Sequence, residues 1–205
     1  MTQDYLKPRE APFTYILVIS NILIYLCLEL VGNTLDASFM LEHGAMNPVY
    51  VVYGREWYRL FSAMFLHFGV THLANNMLLL FLLGQIFERA VGTTRFAGIY
   101  LGSGLAGSFL SLIYMCVMNR NDVVAGASGA IFGIVGGMVV VVLVHKGKYQ
   151  GITSRRMLFM AAITLYFGFA TAGTDNAGHV GGLLAGLILT FLSYGIPTLI
   201  RNHRG

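Results

Sequence analysis

An all-α bundle of six transmembrane helices, with an interfacial loop between the first and second, is the fold class this sequence predicts. Three observations predict it. Hydrophobic residues fill 56% of the 205 positions and charged residues only 11%, with a mean hydropathy of +0.69, too little polar surface to cover a soluble domain. The apolar residues also gather in long windows, and a helix needs ~20 residues rising ~1.5 Å each to cross ~30 Å of hydrocarbon. Finally, Lys and Arg are unevenly shared among the connections, as membrane topology requires.

The windows are residues 13–30, 68–87, 96–118, 123–144, 157–173 and 177–200. Glu29 ends the first, where it can reach the interface, and the other five hold no acidic or basic residue. Window 157–173 is the shortest and includes Thr164, Tyr166 and Thr171. Lys7 and Arg9 precede an apolar stretch, as in a secretory signal peptide. That stretch is long and no A-x-A site follows it, so retention is expected. Residues 31–67 are too apolar for a solvated loop, and Trp57 and Tyr58 suit a segment lying in the membrane interface. Cys27 and Cys116 fall within expected spans and read as small apolar packers, not as a disulfide framework. The expectation is one membrane domain over 1–205, with short tails at 1–12 and 201–205.

Ten of the thirteen basic residues lie in the N-terminal tail, around Arg89 and Arg95, in the HKGKYQGITSRR loop and in the RNHRG tail. Those segments, both termini included, are expected to be cytoplasmic. The net charge of +4 then reflects topology, and nothing in it points to nucleic acid.

With an inside N-terminus, the second, fourth and sixth spans all start at the outer face. The second begins HFGVTHLANNM, placing His72 and Asn76 at i and i+4 on one helical face. The fourth begins AGASGAIFG with Ser128, and the sixth TDNAGHVGG with His179. On helical spacing, Ser128 lies ~9 Å beyond Asp122 and His179 ~6 Å beyond Asp175, at similar depth. Polar groups inside a membrane are usually functional or paired. Gly129, Gly133 and Gly137 on the fourth span and Gly178, Gly182 and Gly186 on the sixth each repeat every four residues, a spacing that lets two helices approach closely. Such an approach would bring the imidazole to the hydroxyl at the ~2.6 to 3.2 Å a general base needs.

Taken singly, each residue has a blander reading: serine at a helix contact, histidine or Asn76 as interhelical hydrogen bonders, glycine ladders as packing. A metal site built on His67, His72 and His179 is disfavoured, because His67 and His72 are five apart, no HExxH occurs and no acidic residue lies near them. The GxSxG elbow also fails, since Ala130 stands at its second glycine. No cofactor is expected. Asp175 and Asn176 read as caps of the sixth span, which leaves a Ser-His dyad.

Taken together, these residues resemble a rhomboid intramembrane serine protease of the six-helix bacterial type. The resemblance rests on GASG around Ser128, including Gly126 and Gly129; on HxxxN from His72 to Asn76; on His179 followed by Gly182 and Gly186; on WYR at 57–59; and on Gly84, Glu88 and Gly92. It implies Ser128 as nucleophile, His179 as general base, and an oxyanion hole from His72, Asn76 and the Ser128 backbone N–H. It implies supporting roles for Trp57, Arg59 and Glu88, and substrates that are transmembrane proteins cut near the outer end of a helix. It also implies a bacterial plasma membrane with the active site facing outward. Phe132 departs from the best-known members, which have tyrosine there, but its ring can still stack on His179. The alternative from another class is a non-catalytic rhomboid-like protein that binds or sorts membrane helices.

Overall fold

The computed structural model describes residues 10–153, 155, 159, 162 and 174–204. Helix α1 (Pro12–Val31) opens the chain with proline in its first turn and no side-chain cap from Ala11. Its cap comes from far along the chain: the Glu88 carboxylate accepts the Phe13 and Thr14 amides at 3.0 and 2.8 Å. Only one stripe of α1 is buried, at Thr14, Leu17, Asn21, Tyr25 and Leu28. That three-to-four-residue spacing is what a helix packed on one side requires.

The connection that follows is folded. It contains α2 (Ala37–Glu42), a π-helical turn (Val49–Tyr53), α3 (Arg59–Ser62) and a 3-10 turn (Ala63–Phe65). Met40, Ala45, Met46 and Val51 are wholly buried in it. The expected interfacial loop is therefore a folded cap, its buried residues clustered with Leu28 of α1 and with Leu112 and Met115 farther along the chain.

Helices α4 (Gly69–Val91) and α5 (Thr93–Val117) are joined by Gly92 alone. Its φ of +89° is a backbone conformation that side-chain-bearing residues rarely adopt. Helix α6 (Ser128–Val144) is buried without interruption from Ala130 to Val142. A helix apolar on every face belongs at the centre, and α4, α5 and α7 (Asn176–Thr190) pack around it. A hairpin follows α6, with β1 (Lys148–Tyr149) antiparallel to β2 (Ile152–Thr153). After α7, a π-helical turn (Phe191–Gly195) continues into α8 (Ile196–Arg204).

Among the described residues, four helical stretches are long and apolar enough to cross a membrane: Pro12–Val31, Gly69–Val91, Thr93–Val117 and Asn176–Asn202. Several expectations change. The fourth span does not begin at 123: residues 123–127 lie outside the helix, and α6 has 17 residues. The cause is competition for backbone partners, since Met46 and Val124 form an antiparallel bridge and Gly126 takes a φ of +138°. The second span runs on past 87 through Glu88, which is 1% exposed. The expected fifth span, 157–173, lies outside the described residues except at 159 and 162. Cys27 and Cys116 are both exposed, beside the buried stripes of α1 and α5, and so do not pack the core.

Candidate active site

Ser128 is the first residue of α6, and its position is set from outside the helix. The segment leading to it is held on the capping connection by paired bonds between Met46 and Val124, at 2.9 and 2.8 Å, and by the Gly126 amide donating to the Ala63 carbonyl at 2.9 Å. Asn47 adds hydrogen bonds to the carbonyls of Asn121 and Asp122. Ser128 thus reaches its depth at the end of a non-helical segment, not by several turns of helix. No side chain caps α6. Its first-turn N–H groups lack intrahelical partners and carry the positive end of the helix dipole, a ready place for an oxyanion.

His179 stands in the first turn of α7. Asp175 caps that helix by accepting the Gly178 amide at 2.9 Å. Burial pushes the Asp175 carboxyl above the ordinary aspartate range, partly offset by that amide. Close packing of α6 and α7 then unites two residues 51 positions apart: His179 Nε2 lies 2.9 Å from Ser128 Oγ. The imidazole is 8% exposed. The Phe132 ring stacks on it, with centroids 4.4 Å apart at 20°. Among the described residues no group hydrogen-bonds His179 Nδ1. No third side chain among the described residues orients the imidazole by a hydrogen bond, and the Phe132 ring lies flat against it.

His72 and Asn76 face the same space from α4. A cavity of about 460 Å³ is lined by Ser128, His179, His72, Asn76, Gly126 and Phe132 among others. The Phe68 amide donates to His72 Nδ1 at 3.3 Å. A neutral His72 therefore carries its proton on Nε2. That nitrogen lies beside Gly126, where a Cβ would sit 2.9 Å from it. Asn76 Nδ2 donates to the His72 carbonyl at 3.0 Å, which leaves the second hydrogen of the amide free for another acceptor.

The remaining expected residues lie farther out. Arg59 is 4% exposed and donates to the Leu41 and Ala45 carbonyls and to Glu56, with Tyr50 against its guanidinium. The Tyr58 hydroxyl and then Arg59 hold the Glu56 carboxyl below its ordinary range. Arg59 thus pins the capping connection together. Glu88 accepts from Phe13, from the Thr14 amide and hydroxyl, and from Thr93, joining α1, α4 and α5 far from the cavity. Trp57 is 52% exposed and contributes a backbone carbonyl to Leu60. Gly182 and Gly186 face the Gly129 and Gly133 carbonyls so closely that an added Cβ on either would overlap them.

One residue set aside in the sequence belongs beside this site. His67 is 1% exposed, its Nε2 accepts the Ala127 amide, and its ring meets that of His72 edge-on at 5.2 Å. Helical spacing had separated His67 from His72, but α4 begins only at Gly69. The available signal was a histidine enclosed by Leu66 and Phe68 in an apolar run. Among the described residues, no group of three His, Cys, Asp or Glu is placed to hold a metal ion.

Comparison with known proteins adds to this geometry. The family model of the Rhomboid domain matches residues 54–195. Rhomboid protease GluP of Bacillus subtilis (strain 168) is 35% identical over 185 residues, covering 90% of this chain and 35% of that protein. RHOMBOID-like protein 4 of Arabidopsis thaliana is 37% identical over 164 residues, covering 79% of this chain and 39% of the relative. RHOMBOID-like protein 6, mitochondrial, of the same plant is 38% identical over 161 residues, covering 77% and 50%. The chain thus spans half or less of the length of these relatives.

Proposed function

The chain belongs to the rhomboid family, and from that premise we propose that it is an intramembrane serine endopeptidase. With its long apolar helices, it is an integral membrane protein. The observation that carries the proposal is the 2.9 Å contact between Ser128 Oγ and His179 Nε2 at the wall of a cavity.

In this reading His179 Nε2 takes the Ser128 proton as Oγ attacks the carbonyl carbon of the scissile bond. The tetrahedral oxyanion then meets the Ser128 N–H at the start of α6, the Nε2–H of His72 and the free hydrogen of Asn76. His179 returns its proton to the leaving amine, and a water molecule opens the acyl-enzyme by the same steps reversed. Fixed donors count for more here than in water, because the surrounding dielectric is low. The substrates are membrane-spanning proteins, cut where a helix nears the outer surface and can unwind into the cavity. The protein sits in a bacterial plasma membrane with its termini in the cytoplasm, the orientation that the Lys and Arg distribution supports.

The test is labelling of Ser128 by a fluorophosphonate or isocoumarin, together with cleavage of a transmembrane substrate in detergent or liposomes. Both are expected in wild type, and both are lost in Ser128→Ala and His179→Ala. Full activity in either variant would sink the proposal. A wild type that binds membrane helices without cutting or labelling would favour the helix-binding alternative.

A further inference from the structure

His67 is a buried titratable group that the mechanism above leaves unused. It lies between the 3-10 turn Ala63–Phe65 and α4, with 1% exposure. Two of its contacts lead toward the reacting atoms. Its Nε2 accepts the amide of Ala127, the residue immediately before Ser128, at 3.4 Å. Its ring also meets the His72 ring at 5.2 Å and 67°. Accepting at Nε2 places the proton of a neutral His67 on Nδ1, with the Phe65 backbone carbonyl as its hydrogen-bond acceptor. An apolar ring of the same size would leave the buried Ala127 amide without an acceptor.

The contacts form a connected set. Gly126 donates to the Ala63 carbonyl and Ala127 to His67, so one short segment takes two successive amides just ahead of α6. The first free N–H groups of α6 follow directly. On the other side, His72 is held between Phe68, which donates to its Nδ1, and the edge of His67. We propose that His67 is a positioning residue for the oxyanion site, acting through the Ala127 peptide and the His72 ring. This rests on the protease reading above. His67 touches no reacting atom. It sets the direction of the Ser128 peptide and of His72 Nε2–H, and a misplacement of ~1 Å in such donors costs about a hundredfold in rate.

The experiment compares His67→Phe, which keeps a ring and loses the acceptor, with His67→Gln, which returns an acceptor near the place of Nε2. Each is assayed for kcat and KM on a transmembrane substrate in liposomes, for fluorophosphonate labelling rate, and for Tm. His67→Phe is expected to lose about ten- to a hundredfold in kcat with KM within about twofold. His67→Gln is expected to recover at least half of that loss on a logarithmic scale. If His67→Phe fails to fold, His67→Asn replaces it with the same expectation, its side chain being too short to reach the Ala127 amide.

A folded His67→Phe with wild-type kcat overturns the proposal, as does a kcat loss that follows Tm and is not recovered by His67→Gln. Wild-type labelling separates the two levels. If wild type does not label at Ser128, the protease reading falls and this one with it. If wild type labels and His67→Phe is unimpaired, the positioning role alone falls.

Discussion

Gly182 of α7 faces the carbonyl oxygen of Gly129 in α6 with no room for a methyl group between them. One turn further, Gly186 faces the Gly133 carbonyl in the same way. The contact between Ser128 and His179 depends on this approach, because each side chain is carried by one of the two helices. Gly182→Ala must push the helices apart, at about 1–3 kcal/mol of overpacking, and is expected to lower kcat about a hundredfold or more. Gly129→Ala meets its nearest atom at 3.5 Å, an ordinary contact, and should lose much less. Equal losses in the cleavage assay would argue against steric separation as the cause.

Phe132 holds the His179 ring by stacking at 4.4 Å. Removing it in Phe132→Ala should free the imidazole and lower kcat about ten- to a hundredfold, with a stability loss of about 3–5 kcal/mol. Phe132→Tyr keeps the ring and should keep both activity and Tm. Kinetics and thermal unfolding of the two variants check this, and a fully active Phe132→Ala would remove the stacking role.

Asn76 offers one donor to the proposed oxyanion and is not the nucleophile. Asn76→Ala is therefore expected to lower kcat about 10²- to 10³-fold while leaving a measurable rate and an almost unchanged KM. Steady-state kinetics in liposomes decide it. A rate indistinguishable from wild type takes Asn76 out of the hole.

Glu88 serves four donors with two oxygens: Phe13 and Thr93 on one, the Thr14 amide and hydroxyl on the other. Glu88→Gln turns one of those oxygens into an NH₂ group facing two donors, whichever way the amide is set. Thermal or denaturant unfolding should register a loss of ~2 kcal/mol or more. Because Glu88 lies away from the cavity, protein that remains folded should keep its kcat.

Acid should loosen the capping connection through Glu56, whose carboxyl is held below its ordinary range by Tyr58 and then Arg59. A lowered carboxyl contributes stability that is fully present above its unfolded pKa and is lost as pH falls through the folded value. Limited proteolysis of residues 31–67 is expected to quicken across that acidic window in wild type. In Glu56→Gln the rate should change much less over the same range.

Much of this protein could be read along the chain. Membrane helices follow from composition and window length, because hydrocarbon leaves the backbone no partner but itself. The glycine repeats anticipated the approach of α6 and α7, since small residues at a four-residue spacing lie on one helical face. Family membership followed from motif order. Other features depended on contacts that linear spacing cannot express. Hydropathy read 123–127 as helix because these residues are mostly apolar, whereas their backbone bonds go to Met46 and Ala63. Glu88 marked a window's end by its charge, yet it is buried among donors brought from α1 and α5. His67 was discounted on a helical periodicity that does not extend to it. The sequence alone determined which segments are apolar enough to span and which residues have reactive side chains, since both are properties of local composition. Only the tertiary structure decided which backbone amides are taken and which hydroxyl meets which imidazole, because those partners lie 51 or more positions away and are reached only when the helices pack.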